Sequence, residues 1–165
     1  MRIAITDVDY RPDHALAACL VASAFDAPRP STARTVRVSP VAAYEPGAFY
    51  KRELPCLTAV LDAVGGPFDA VVVDGYVWLG DDGQKGLGAH LYEALDRRVP
   101  VIGVAKTSFA GSPFAERVTR GLSRSPLFVT AVGVDAKEAA ALVAAMHGAH
   151  RIPSLLKEVD RLARS

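Results

Sequence analysis

Three acids stand at positions where a carboxylate has to be accounted for. Asp7 falls in the middle of Ile3 to Tyr10, where apolar and polar residues alternate as they do in a strand. A carboxylate buried there is costly unless something pairs with it. Asp74 closes the run AVVVD, residues 70–74, which is apolar up to its last residue and reads as a strand covered on both faces. The carboxyl ends of such strands are where α/β sheets place ligands. Glu53 precedes Pro55 at the start of a helical pattern carried by Leu57, Val60, Leu61 and Val64. If the first and fourth strands are neighbours, Asp7 faces Asp74 and Glu53 reaches in from the helix. Clustered carboxylates repel one another, and a hard divalent cation such as Mg²⁺ relieves the repulsion. Two such ions can activate water and stabilise the leaving oxygen of a phosphodiester displacement. Each acid also has a plainer reading: Asp7 on the solvent face of an edge strand, Glu53 complementing a helix dipole, Asp74 capping the turn into Gly75.

The elements that must position these acids follow from periodicity. Ile3 to Tyr10, the apolar run Ala15 to Phe25, and Thr35 to Val38 predict three strands with short connections, which favours an antiparallel meander. A helix from Pro55 ends at Gly65-Gly66. The buried strand at 70–74 is followed by a loop from Gly80 to Gly86 and a helix carrying Leu87, Leu91 and Leu95. Val99 to Ala105 and Leu127 to Val132 predict two more strands. A helix begins at Asp135, and a last one carries Leu155, Leu156, Val159 and Leu162. The expected fold is α/β: a mixed sheet of three antiparallel strands followed by parallel α/β units, with helices on both faces, in a single domain over residues 1–165.

Composition narrows the class. Of 165 residues, 50% are hydrophobic and 22% charged, enough for one core and against wholesale disorder. No apolar run approaches the roughly 20 residues of a membrane helix, and Asp7 and Asp9 come too early for a signal peptide. Cys19 and Cys56 both sit in apolar surroundings, so buried thiols and a cytoplasmic location are expected. The formal net charge of +1 argues against a broad nucleic-acid surface, but it conceals a division. Residues 1–96 hold 8 Lys/Arg against 13 Asp/Glu, and residues 97–165 hold 11 against 5. The acidic part contains all three acids above. The basic part holds Lys106, Arg117, Arg120, Arg124 and Arg151. The split is either chance or a cation site beside an anion-binding surface. In the second case these are phosphate contacts, and weak non-specific binding of shallow salt dependence is expected.

Five blocks carry a resemblance: Thr6-Asp7-Val8; Tyr44-Glu45-Pro46-Gly47 leading to Arg52-Glu53; Val73-Asp74-Gly75; Val99 to Lys106 (VPVIGVAK); and Ser125-Pro126-Leu127-Phe128. In this register, over about Ile3 to Pro153, the chain resembles the endonuclease V family, metal-dependent nucleases with a ribonuclease H-like fold that nick strands 3′ to a deaminated base such as inosine. The resemblance implies metal-binding carboxylates at Asp7, Glu53 and Asp74, with Mg²⁺ (or Mn²⁺) as cofactor. It implies an active-site lysine at Lys106, whose ammonium would neutralise a phosphate or the transition state. It places a strand-separating wedge at Tyr44 and Pro46, where an aromatic ring and a rigid proline fill the gap left by a flipped base. Gly75 and Gly111 fall near the base pocket, with Tyr76 beside them. The implied partner is DNA or RNA containing deaminated bases, in nucleic-acid repair.

The chain also departs from the family. The family's helical segment before the first strand has no counterpart ahead of Asp7. Tyr76-Val77 replaces the usual His-Gly, Glu45 adds a charge to the wedge, and the stretch between Lys106 and Ser125 is shortened. The family's histidine before the last core helix is missing from 131–134. Asp135 is the polar candidate for a fourth ligand there, although with Glu138 it also forms a helix-capping pair, and the cap is favoured. The alternative function is therefore a catalytically degenerate relative that binds nucleic acid without efficient cleavage. His90 reads as structural, and His14, His147 and His150 show no zinc-ligand spacing.

Overall fold

Alternating and continuous apolar runs become one sheet. The computed structural model describes residues 1–39, 43, 45–46, 50–109 and 113–165. In it, β1 (Ile3–Tyr10), β2 (Ala15–Ala22) and β3 (Thr32–Val38) form the expected antiparallel meander, with β3 starting earlier than its β-branched core suggests. β4 (Ala70–Asp74) lies parallel to β1, and β5 (Val101–Ala105) parallel to β4. A short β6 (Glu116–Val118), which periodicity does not reveal, pairs with β7 (Leu127–Val132) at the far edge. The order is β3-β2-β1-β4-β5-β7-β6.

The two faces are covered by different helices. α1 (Tyr50–Val64) and α2 (Leu87–Ala94) bury Leu57, Val60 and Leu91 against Ala4, Cys19 and Val71. On the other face α3 (Ala136–Ala144) and α4 (Ser154–Ala163) bury Val143, Leu155 and Val159 against Ile3, Ile5 and Leu20. The alternation of strand side chains between faces is thus matched by apolar stripes on both helix pairs. Both cysteines are free and buried, and no helix of the described residues is long and apolar enough to cross a membrane.

Two expectations are corrected. β7 runs antiparallel to β5, not as a further parallel unit. A parallel neighbour needs a crossover, usually helical, that carries the chain back along the sheet. The described residues between β5 and β7 hold no helix, so the chain turns and returns in the opposite direction. Pro55, expected in the first turn of α1, lies inside the helix, which already exists at Tyr50. The Tyr50 ring stacks on His90 of α2 with centroids 3.7 Å apart, and this tertiary contact holds a turn that local signals place outside the helix. The exposed proline ring points away from the core. As a result Glu53 lies within the helix rather than before it.

Backbone packing at the end of β4 leaves no slack. A Cβ on Gly103 would sit 2.5 Å from the Gly75 carbonyl oxygen and 3.0 Å from both Thr130 Oγ1 and Val77 N. Thr130 Oγ1 already accepts from Val77 N at 2.8 Å. Gly103→Ala is therefore expected to cost roughly 2–3 kcal/mol through overpacking, read as a lower urea midpoint at unchanged slope.

Candidate active site

Parallel pairing of β1 and β4 sets the acids level. Ile3 pairs with Ala70 and Ile5 with Val72, so the same register carries Asp7 to Asp74. Both carboxylates line two small recesses, one on each side of them. The first, about 20 Å³, is shared with Lys106, Ile152 and Leu156. The second, about 10 Å³, is shared with Glu53, Leu57 and Leu87. Each is close to the space one water molecule occupies. Lys106 follows β5 directly, and its Nζ lies 3.9 Å from Asp74 Oδ2. Gly75, with φ of +133°, makes the turn immediately after Asp74, a conformation that favours glycine.

The cluster is short of positive charge. Burial first, then the Asp74 carboxylate, pushes Asp7 up to about 7, and Asp160 adds to the effect as a hydrogen-bonding and like-charged neighbour. Burial, followed by Asp74 and Asp7, pushes Glu53 up to about 8. Arg52, whose guanidinium lies 3.7 Å over the Tyr10 ring, offsets part of this. Asp74 is also raised by burial and by Asp160, against the pull of Lys106.

Asp160 was not singled out by sequence reasoning. It sits on α4 beside the apolar stripe of Leu155, Val159 and Ala163 that packs on the sheet. An acid bordering a stripe that docks against an acid-bearing strand was the available signal. Asp135 behaves as a cap instead: its side chain accepts from Glu138 N at 3.3 Å. The antiparallel course of β7, which pairs Val132 with Val101, puts α3's start at the end of the sheet away from Asp74.

The donor set is hard oxygen of high negative charge, which suits Mg²⁺ or Mn²⁺ rather than a softer ion. Among the described residues, no three His, Cys, Asp or Glu side chains are drawn close enough to hold an ion as they stand. The fit is thus one of donor chemistry, burial and recess size, and loading requires the carboxyl groups to lose protons and move together.

The other residues divide. Tyr76 spans from β4 to the loop after Lys106: its hydroxyl donates to Thr107 O at 2.6 Å, and its ring packs at 6.2 and 6.1 Å from Phe109 and Phe114. Pro46 is an exposed turn residue ahead of α1, and Glu45 pairs with Lys51 at 3.3 Å. Tyr44 and Gly111 lie outside the described residues. Two of the arginines expected to meet phosphate are used internally. Arg120, buried, donates to the carbonyls of Met146, Gly148, His150 and Arg151. Arg151 donates to those of Lys106, Ser125 and Pro126. Both tie down the connection between α3 and α4.

Comparisons with known proteins bear on the family and the fold. The family model described as Endonuclease V matches residues 1–139. The Endonuclease V of Streptomyces avermitilis is 34% identical over 142 residues, covering 73% of this chain and 60% of that protein. That of Rhodospirillum centenum is 44% identical over 95 residues, covering 56% and 37%. The chain therefore spans between about one third and three fifths of the curated relatives it matches. Among solved structures, the S. avermitilis enzyme superposes with a TM-score of 0.76 at 28% identity, over 99% of this chain and 80% of that one. Ciona intestinalis Endonuclease V, in complex with a 24mer DNA containing an inosine followed by a ribo-adenosine, gives 0.80 at 17% identity, over 99% and 84%.

Proposed function

Because this chain belongs to the endonuclease V family, with the ribonuclease H-like sheet of its structural neighbours, we propose that it is a metal-dependent endonuclease. It hydrolyses a phosphodiester bond 3′ to a deaminated base, inosine above all, in DNA or RNA, and acts in nucleic-acid repair. The observation that supports this best is the meeting of Asp7, Glu53 and Asp74 around two recesses, with Asp160 beside Asp7 and Lys106 against Asp74.

In this reading Asp7, Glu53, Asp74 and Asp160 hold Mg²⁺ or Mn²⁺, and Asp135 is left to its helix. Bound divalent ions supply Lewis-acid activation of water and charge neutralisation at the leaving oxygen. The chain's own groups do the rest. Protons held by Asp7 and Glu53 at neutral pH leave as the site loads. The Lys106 ammonium faces the same acids from β5 and neutralises charge on the scissile phosphate. The water oxygen bonds to phosphorus, the bond from phosphorus to the 3′ oxygen breaks, and that oxygen takes a proton, leaving 3′-hydroxyl and 5′-phosphate ends. Tyr76 and Gly75 border the place for an unpaired base, and Tyr44, Pro46 and Gly111 complete the nucleic-acid contacts.

The test is a strand-cleavage assay on end-labelled DNA and RNA, each with and without a single inosine, with Mg²⁺, Mn²⁺ or chelator. One nick 3′ to the inosine, dependent on divalent ion, is the expected result. Intact substrate under every condition, with retained strand binding, would instead support the degenerate alternative.

A further inference from the structure

A second cationic feature adjoins the carboxylates. A groove of about 380 Å³ runs from the loop after β5 to the first turns of α4, lined by Lys106, His150, Arg151, Lys157 and Asp160 over a floor that includes Leu156. It shares Lys106 and Asp160 with the cluster, so it opens directly from the place where the scissile phosphate would lie. Every groove residue except Lys106 lies beyond residue 139, where the family match stops.

These cations have different duties. Arg151 is committed to three carbonyls, and Arg120 holds the segment from Met146 to Arg151 from beneath. The groove wall is thus braced by two guanidiniums whose hydrogen bonds run to main-chain carbonyls. Lys157 and His150 are exposed, and no ion pair engages either of them among the described residues. Lys157 is three residues before Asp160 on α4, a spacing that puts both on neighbouring parts of the helix surface. Its flexible stem and point charge suit a phosphate approached from solvent. A single strand carries a charge at every nucleotide, so a strand with one phosphate at Lys106 brings a neighbouring phosphate within reach of the adjoining groove.

We propose that this groove seats a phosphate of the scissile strand adjacent to the one that is cut, with Lys157 as its main contact, His150 as a second donor and Arg151 as the brace. The proposal rests on the nuclease reading for the identity of its ligand, a nucleic-acid backbone. It assigns binding, not chemistry, to Lys157.

The probe is a fluorescein-labelled single-stranded oligonucleotide, with anisotropy read in chelator over a salt series and cleavage kinetics read separately in Mg²⁺. Lys157→Ala is expected to weaken binding about 3- to 10-fold for any sequence and to flatten the plot of log affinity against log salt by about 0.7. KM should rise in proportion while kcat stays within about twofold, and Lys157→Arg should restore binding. Lys137→Ala, which removes the same charge on α3 at the other end of the sheet, should change neither quantity. Unchanged affinity and slope in Lys157→Ala, or an equal loss in Lys137→Ala, overturns the groove. Normal wild-type binding with the Lys157 effect but no cutting in Mg²⁺ or Mn²⁺ supports the groove and overturns the nuclease reading instead.

Discussion

Asp7→Asn is expected to lower cleavage of an inosine-containing strand by roughly 10³-fold or more while making the metal-free protein more stable near pH 8. The first effect follows from losing a charged oxygen donor central to both recesses. The second follows from linkage. Asp7 is raised from 3.8 to about 7 by burial and by Asp74, so the folded state binds its proton more tightly than the unfolded state. Stability is therefore fully present below about pH 4 and declines as pH rises towards about 7. Asparagine carries no charge to desolvate and escapes that decline. Its expected advantage in chelator is on the order of 1–2 kcal/mol at pH 8, or a few degrees in Tm, and close to zero at pH 4. Mg²⁺ should raise the wild-type Tm more at pH 8 than at pH 5, because cation and proton compete for the same oxygens, and should raise the variant's less. Thermal melts from pH 4 to 9, with Mg²⁺ or chelator, check both parts. A variant less stable than wild type at pH 8 would show that Asp7 is paired by groups other than these acids.

Asp160→Asn should lower cleavage by about 10²- to 10³-fold at fixed Mg²⁺, with partial recovery as Mg²⁺ is raised, because a ligand loss weakens the metal site before it removes it. Asp135→Ala should leave kcat and the Mg²⁺ dependence unchanged and cost about 1 kcal/mol of stability through the lost helix cap. The pair of variants separates two acids that both stand near the end of the sequence. Asp160 packs towards Asp7, whereas Asp135 accepts a backbone N–H of its own helix. Equal loss of activity in both, with matched folding, would mean that α4 does not contribute a ligand.

Much of this arrangement was legible before folding was considered. The run AVVVD announces a strand buried on both faces, and its closing acid marks a ligand-bearing end, because no other side chain in that run needs water. The meander, the buried thiols and both amphipathic helices of the last third follow from periodicity alone. What escaped had a long-range cause. Pro55 entered the helix interior because Tyr50 finds His90, a contact between elements far outside the local window of either residue. The basic residues of the second half divided for the same reason: Arg120 and Arg151 look like phosphate contacts in composition, yet both turn inward to carbonyls that only a tertiary loop creates.

The sequence by itself determined the residue types of the site, the strands that carry Asp7 and Asp74, and the family, because these depend on local pattern and on short blocks in register. Tertiary structure decided which further acid comes near Asp7 and Asp74. The direction of β7 sends Asp135 to one end of the sheet, and the docking of α4 brings Asp160 to the other. Strand direction is set by how the chain can return across the sheet, and a helix's docking by burial of its apolar stripe against a face assembled from distant strands. Neither is written in the residues around Asp135 or Asp160, so the choice between them appears only once the sheet is assembled.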